Sequence, residues 1–281
     1  MTQTAAPKLP FEANAVLQVM QDAAERELLP RFGNLAKHEI REKKPGDLVT
    51  VADEAMEKAL AESLQRLLPS ATVVGEEIVA ADPGFISHIA SDEWAWIVDP
   101  LDGTHNFAHG KDIFAVIVAL THRGSTVGGW IYDPLGRAGG HALRGQGAWL
   151  DGRRRFMAKP AALKDLLGYV GFRVRHEMEQ RAGDRLARIG KTSSLFCAGR
   201  EYLEVLAGNR HFNLYRRIKP WDHAAGALMV EEAGGHAARF DGQPYLPTDR
   251  EGGLISAPDR QSWQAIHDIF LADPPLPVSG R

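Results

Sequence analysis

The sequence predicts a protein of mixed helices and sheets that pack against one another in layers. Helical and strand patterns alternate in both halves of the chain, and β-rich segments separated by glycine and Asp-Pro turns fill residues 113–152. That spacing is typical of an antiparallel meander. We expect one domain over residues 1–281, with an N-terminal half of about 1–157, a C-terminal half of about 158–272 and a flexible tail at 273–281.

The N-terminal half should open with two helices. Apolar residues recur at helical spacing over 11–30, and a second helix is expected over 53–68, with acidic residues in its first turn. The polar stretch 39–50 is broken by a Pro-Gly pair and predicts a loop or a hairpin. Short strands are expected at 71–77 and at 94–98, each running into acidic residues.

The C-terminal half alternates between short apolar runs and amphipathic stretches, which again indicates strands and helices. The predicted strands are 166–172, 211–215 and 252–257, and the predicted helices are 176–190, 198–208, 221–235 and 259–272. The helix from 221 should stop at its paired glycines.

Composition excludes several classes of protein. The net charge of −3 argues against a nucleic-acid-binding module, which normally carries a basic stripe. Cys197 is the only cysteine, so the chain has no intramolecular disulfide and no cysteine-based zinc site, which fits a cytoplasmic setting. The N-terminus does not have the pattern of a signal peptide, and the longest apolar run, 113–120, is too short to span a bilayer.

The stretch "WAWIVDPLDGTHNF" carries the strongest chemical indication. A buried strand runs into Asp99 and Asp102, and burial of two unpartnered carboxylates is costly. Their oxygens, with the carbonyl of Leu101 between them, suit Mg²⁺. If a helix begins beyond Gly103, the free N–H groups there, including that of Thr104, form an anion site. The alternative is that both aspartates merely cap a turn or a helix.

Three more carboxylates fall at the ends of predicted elements, where a rigid scaffold presents functional groups. Asp53 and Asp222 each stand where a helix begins, so helix capping is the alternative for both. Glu76 lies in the pair of glutamates after "VVG", and acidic pairs in loops are usually solvated. None of the three is decisive by itself.

Taken together, the segments "DLVTVAD", "VVGEE", "DPLDGT" and "WDHAAG…EEAGG" resemble the inositol monophosphatase family, within the lithium-sensitive, magnesium-dependent sugar-phosphatase superfamily. The resemblance covers roughly residues 11–271. It implies the layered αβαβα sandwich shared with fructose-1,6-bisphosphatase, an α/β (α+β) fold, and it implies a cytoplasmic homodimer.

The resemblance also implies a metal site. Glu76, Asp99 and the Leu101 carbonyl would bind one Mg²⁺, and Asp99, Asp102 and Asp222 a second. Glu76 would reach a third ion through water, which gives two or three ions in each active site.

The implied catalytic residues are Asp53, Thr104 and Glu76. Asp53 and Thr104 would orient the attacking water and help to deprotonate it. The implied substrate-binding residues are Asp102, Gly103, Thr104, Ala198, Tyr215 and Asp222.

The sequence departs from the family pattern at several positions. Ile78 and His105 stand where serine and threonine are frequent, and His105 either donates to a substrate or simply packs. Tyr215, beside Arg216 and Arg217, takes the place of a glutamate that binds a substrate hydroxyl in many members. We expect a cationic, aromatic pocket edge there, which would favour a more anionic or nucleotide-like substrate.

Two other assignments fail on the sequence. Phosphatases of the haloacid-dehalogenase type use D-x-D-G-T with the first aspartate as nucleophile, and that position is Pro100. A zinc site at His105 and His109 lacks an intervening glutamate and a third ligand.

The expected function is therefore Mg²⁺-dependent hydrolysis of a small phosphate monoester, with inositol monophosphate as the leading substrate. Other substrates are histidinol phosphate, 3′-phosphoadenosine 5′-phosphate and fructose 1,6-bisphosphate. A function of a different class is the alternative: the protein is retained mainly to bind a macromolecular partner, and its phosphatase activity is incidental. Neither nucleic acid nor a membrane is expected as a partner.

Overall fold

A computed structural model describes residues 9–171, 174–176 and 183–271. Within these ranges the helices are α1 Ala13–Glu27, α2 Val51–Leu67, α3 Glu76–Ala81, α4 His88–Ser91, α5 Thr104–Ala108, α6 Ala198–Leu206, α7 Pro220–Glu232 and α8 Arg260–Leu271. Short 3₁₀ helices cover Lys37–Glu39, Pro83–Ser87, Leu163–Asp165 and Gly183–Arg188.

The strands form three sheets. Their bounds are β1 Ile40–Lys44, β2 Asp47–Thr50, β3 Thr72–Gly75, β4 Trp94–Asp102, β5 Ala115–His122, β6 Ser125–Asp133, β7 Ala138–Leu143, β8 Gly147–Leu150, β9 Arg153–Arg155, β10 Gly168–Val170, β11 Thr192–Ser193, β12 Phe212–Tyr215, β13 His236–Arg239 and β14 Leu254–Ala257. Strands β1 and β2 pair as a hairpin. A seven-stranded sheet has the order β3-β4-β5-β6-β7-β8-β9, and a five-stranded sheet has the order β11-β10-β12-β14-β13.

The large sheet contains the predicted antiparallel meander, because each strand from β4 to β9 pairs antiparallel with the next. Strand β3 adds to its edge in parallel with β4. Because Gly75 at the end of β3 pairs with Val98 of β4, Glu76 after β3 and Asp99 within β4 lie at the same edge of the sheet.

The sheets and helices stack as five layers, as the sequence predicted. Helices α1 and α2 pack on one face of the large sheet, and α7 packs on its other face beside α6. The five-stranded sheet follows, since α7 also contacts β13 and β14, and α8 covers the far side of that sheet. Helix α7 is thus buried between two sheets, which explains its run of small apolar residues.

Most predicted elements are confirmed. The segment 39–50, predicted as a loop or a hairpin, is a hairpin. The predicted helix 176–190 falls partly outside the described residues, and its described end is the 3₁₀ helix Gly183–Arg188. Strand β13 was not predicted. It has only four residues, and the polar His236 and Arg239 at its ends leave too few apolar residues for a strand pattern.

Neither Asp53 nor Asp222 is a helix N-cap, which corrects that alternative. The N-cap residues are Thr50 for α2 and Lys219 for α7, and each aspartate lies in the first turn of its helix. Asp53 does take part in a capping box, since its carboxylate accepts from the backbone N–H of Thr50 at 2.8 Å.

Candidate active site

The end of β4 places Asp99 and Asp102 at the edge where β3 also ends. A register shift between the two aspartates interrupts the pairing of β4 with β5. Such a bulge re-aims side chains that would otherwise alternate strictly between the faces of the sheet. Asp99 is buried, with 2% of its surface exposed, and its Oδ1 accepts from the N–H of Leu101 at 3.1 Å.

Three carboxylates from distant parts of the sequence meet at this edge. Glu76 begins α3 directly after β3, Asp99 comes from β4, and Asp222 comes from the first turn of α7. One ligand oxygen from each lies within 4.8 Å of the other two. Among the described residues this is the one group of acidic, histidine or cysteine side chains with the geometry to hold a metal ion.

Asp102 is not part of that group of three. Its Oδ2 accepts from the N–H of Gly199 at 2.5 Å and from the thiol of Cys197 at 3.1 Å. The residue therefore joins the end of β4 to the beginning of α6, where Ala198 is the first residue.

The Thr104 hydroxyl connects the second helix to the β4–α5 turn. It lies 2.9 Å from Asp53 Oδ1 and 2.9 Å from the carbonyl of Leu101. Asp53 is buried and also accepts from the hydroxyl of Thr50 at 2.6 Å. Both oxygens of the Asp53 carboxylate are thus engaged.

Gly103 occupies a turn that only glycine fits well. Its φ of 89° is left-handed, and a Cβ at this position would lie 3.0 Å from the carbonyl oxygen of Ile113. Helix α5 begins at the next residue, which is the condition on which the expected anion site depends.

Burial controls the electrostatics of the cluster. It raises the pKa of Asp99 well above its usual value, and the neighbouring carboxylates of Glu76 and Asp102 add to the effect. Burial likewise raises the pKa of Asp222 to about 7. The pKa of Asp53 also rises to about 7 because of burial, although its hydrogen bonds from Thr50 oppose the shift.

Two lysines lie against Glu76, and the sequence did not point to either of them. The Lys219 ammonium is 3.0 Å from Glu76 Oε1, and the Lys43 ammonium is 3.2 Å from the same atom. Burial alone would raise the pKa of Glu76, but the two ammonium groups outweigh it and hold that pKa below its usual value. Lys43 lies on the hairpin and Lys219 precedes α7, so only the tertiary structure brings them together.

Glu57 on α2 also supports the site, and the sequence analysis did not identify it. Its carboxylate accepts from the N–H groups of Glu77 and Ile78 at 2.8 and 2.9 Å, so it caps the beginning of α3 from another helix. A Cβ on Gly75 would lie 2.0 Å from Glu57 Oε2, so glycine is needed for this approach. Together these contacts fix Glu76 at the start of its helix.

Tyr215 is buried, which corrects the expected aromatic pocket edge. Only 8% of its surface is exposed, and its hydroxyl donates to Glu201 Oε2 at 2.7 Å. Glu201 also accepts from the N–H of Leu195 at 2.7 Å and from the Ser194 hydroxyl at 3.0 Å. Arg217, two residues after Tyr215, is the exposed side chain of this segment.

His105 and His109 stack with ring centroids 4.3 Å apart, and His109 Nδ1 lies 2.7 Å from the carbonyl oxygen of His105. Burial and the neighbouring His109 lower the pKa of His105. Neither ring belongs to the group of potential metal ligands found among the described residues, which consists of Glu76, Asp99 and Asp222.

Comparison with known proteins agrees with this geometry. The model of the inositol monophosphatase family matches residues 12–271. The chain is 33% identical to an inositol-1-monophosphatase of Rhizobium meliloti over 256 residues, which cover 85% of this chain and 87% of that protein. It is 32% identical to the Nus factor SuhB of Pseudomonas aeruginosa over 248 residues, 85% of this chain and 88% of that protein.

The fold is similar to that of the extragenic suppressor protein SuhB from Bartonella henselae, with a TM-score of 0.76 and 27% identity over 91% of this chain and 97% of the other. The family match, at residues 12–271, includes each carboxylate of the cluster and the Asp53–Thr104 pair. The chain therefore belongs to the inositol monophosphatase family and is a phosphatase.

Proposed function

We propose that the protein hydrolyses a small phosphate monoester with Mg²⁺ as cofactor, and that inositol monophosphate is its leading substrate. The observation that carries the proposal is the meeting of the Glu76, Asp99 and Asp222 carboxylates within 4.8 Å, beside the Asp53–Thr104 hydrogen bond. These groups are far apart in the sequence and are brought together by the fold. Metal-assisted hydrolysis of a phosphate ester by water uses both a cation site and a group that positions the water.

The donor set fits Mg²⁺. It consists of carboxylate oxygens, and hard oxygen donors suit this ion rather than a thiophilic metal. Glu76, Asp99 and the Leu101 carbonyl would hold one ion, and Asp99, Asp102 and Asp222 a second. Asp102 would contribute the oxygen that does not accept from Gly199. When bound, Mg²⁺ lowers the pKa of a water molecule and neutralises charge on the phosphate.

Asp53 and Thr104 would position the attacking water. Thr104 has one hydroxyl proton to donate, and Asp53 Oδ1 lies 2.9 Å away as an acceptor. The Thr104 oxygen can then accept a hydrogen bond from the water. As the water loses its proton to Thr104, the Thr104 hydroxyl proton would move to Asp53. A carboxylate with a pKa of about 7 is well matched to a general base near neutral pH.

The phosphate would lie on the backbone of the β4–α5 turn. The N–H groups of Gly103 and Thr104 would bind the anion there. Asp102, Ala198 and Asp222 would surround the remainder of the substrate. Arg217, exposed at the end of β12, is suited to a substrate with a second anionic group, whereas Tyr215 would need to be uncovered to reach one.

A panel of substrates tests this proposal. Phosphate release with Mg²⁺ is measured for inositol 1-phosphate, histidinol phosphate, 3′-phosphoadenosine 5′-phosphate and fructose 1,6-bisphosphate. Preference for inositol 1-phosphate supports the leading substrate. If another member of the panel is preferred, that compound replaces inositol monophosphate as the leading substrate, and the segment around Arg217 becomes the specificity determinant. If the protein releases phosphate from no member of the panel, the proposal is contradicted.

A second candidate function is binding of a macromolecular partner. It is favoured by the relative from Pseudomonas aeruginosa, whose name, Nus factor SuhB, describes a factor rather than an enzyme. Against it stands the assembled carboxylate cluster, which a purely binding role does not need. A pull-down with the Asp99→Asn variant separates the two, because a partner that binds independently of catalysis survives this substitution.

The homodimer and the cytoplasmic location stay predictions of the family resemblance. Within the described parts of the chain, no helix has both the length and the apolar character that crossing a membrane requires.

A further inference from the structure

The Glu76 carboxylate is held by two cations that belong to the protein itself. Lys219 and Lys43 approach the same oxygen, Oε1, at 3.0 and 3.2 Å. Lys43 also reaches Glu77 Oε1 at 2.9 Å and so bridges the two glutamates at the start of α3.

These ion pairs differ from ordinary surface pairs in their burial. The side chains of Glu76 and Lys43 are 14% and 16% exposed, whereas that of Lys219 is 38% exposed, so the shared partner Glu76 is the buried member of both pairs. Charges removed from water in this way interact strongly with their neighbours, and one left unpaired is costly. The pKa of Lys219 is raised, because the charges of Asp222 and Glu76 outweigh the opposing effect of burial, so its ammonium stays charged.

The two lysines lie in separate parts of the fold, and both contact Glu76. Lys43 lies at the end of β1, and its contacts with Glu76 and Glu77 attach the β1–β2 hairpin to α3. Lys219 is the N-cap of α7, three residues before Asp222 in the sequence, and its ammonium lies 5.5 Å from the centre of the Trp221 ring.

We propose that Lys43 and Lys219 are built-in counter-ions of Glu76, which stabilise the carboxylate cluster before a divalent cation binds and compete with that cation for the Glu76 carboxylate. This inference rests on the proposed cation site. It adds that the affinity of the site is set by lysines as well as by carboxylates, so that the chain binds divalent cations more weakly than its carboxylates alone would.

The first arm of the test measures stability after treatment with EDTA. Lys219→Met should melt at least about 3 °C below the wild type, because Glu76 loses a partner in a buried site. Lys219→Arg, which keeps the charge, should recover most of the loss. Lys58→Met is the matched control, since Lys58 is an exposed lysine of α2 and its substitution changes the net charge equally.

The second arm measures binding of Mn²⁺, a spectroscopic probe for this site, by calorimetry or electron paramagnetic resonance without any substrate. Lys43→Met and Lys219→Met should each bind Mn²⁺ at least about tenfold more tightly than the wild type, because a positive charge beside the site is gone. Lys58→Met should bind as the wild type does. Saturating Mn²⁺ should close the gap in melting temperature between Lys219→Met and the wild type.

Two results would overturn the inference. One is unchanged or weaker Mn²⁺ binding by both methionine variants, and the other is a melting temperature of EDTA-treated Lys219→Met equal to that of the wild type. If the wild type itself binds no Mn²⁺, the proposed function fails, and the comparison of melting temperatures still decides whether the lysines stabilise the cluster.

Discussion

The Thr104 hydroxyl lies 2.9 Å from Asp53 Oδ1, across a separation of 51 residues. This contact joins the first turn of α2 to the turn that follows β4. It links the carboxylate that we propose as a base with the turn that we propose binds the phosphate. The same hydroxyl lies 2.9 Å from the Leu101 carbonyl, so a shift of either element would disturb both contacts.

Replacing the Thr104 hydroxyl tests this relationship. Thr104→Val removes the hydroxyl but keeps the shape, and we expect turnover to fall by at least about 100-fold because the water loses its orienting acceptor. Thr104→Ser keeps the hydroxyl and should retain most of the activity. Steady-state phosphate release gives both values, and equal activity of the two variants would remove Thr104 from the mechanism.

Glu201 should make stability depend on pH. Burial raises its pKa from the usual 4.5 to about 7, so the folded state binds a proton that the unfolded state has already lost. The stabilising contribution is fully present below pH 4.5 and is lost as the pH rises through about 7.

We therefore expect the wild type to lose stability relative to Glu201→Gln between pH 5 and pH 8, by at most about 3 kcal/mol. Urea denaturation of both proteins at each pH measures the difference. A constant difference over this range would show that Glu201 ionises normally in the folded protein.

Phe196 has a backbone conformation that favours glycine. Its φ is 55°, and it directly precedes Cys197, whose thiol donates to Asp102. Because a Cβ is strained there, Phe196→Gly should be more stable than Phe196→Ala by about 1 kcal/mol, the reverse of the order in a helix. Both variants lose the ring, so thermal denaturation of the pair isolates the backbone effect, and a more stable alanine variant would contradict it.

Lithium should inhibit the enzyme if its second cation site resembles that of the family. Li⁺ is similar to Mg²⁺ in radius but carries half the charge, so it can occupy the site without supplying the same electrostatic stabilisation. Phosphate release at fixed Mg²⁺ should fall as millimolar LiCl is added, and should be unchanged by NaCl at equal ionic strength. If LiCl has no effect, only the proposed similarity between the second cation site of this protein and that of the family is contradicted.

The layered fold was predictable because its elements carry strong periodic patterns and end at clear signals. The meander of β5 to β9 follows from alternating apolar segments with glycine between them, and α7 from an apolar run that ends on Gly234 and Gly235. Strand β13 escaped prediction because four residues that begin with His236 and end with Arg239 have too little pattern.

The carboxylate cluster was predictable only in part. Glu76 begins α3, Asp222 lies in the first turn of α7 and Asp99 lies within β4, and the family resemblance implied a shared metal site for them. The environment of Asp102 was not predictable, because the bulge in β4 and the N–H of Gly199 that binds the carboxylate depend on how distant strands and helices pack.

The polar residues that support the site were missed for one physical reason. Glu57 and Glu201 lie in amphipathic helices, where a charged residue is normally assigned to the solvent, yet both are buried and accept hydrogen bonds from other segments. Lys43 and Lys219 carry no local pattern at all. Their roles follow from charge compensation, which is a property of the packed structure and not of sequence spacing.

The central claim is that the carboxylates of this cluster bind the catalytic cation. The most direct measurement is Mg²⁺-dependent phosphate release by Asp99→Asn, with the substrate that the wild type hydrolyses fastest. Asp22→Asn, at an exposed aspartate of α1, is the control. We predict that Asp99→Asn keeps its fold and loses turnover by several orders of magnitude, while Asp22→Asn retains it. Turnover by Asp99→Asn near that of the wild type would contradict the assignment.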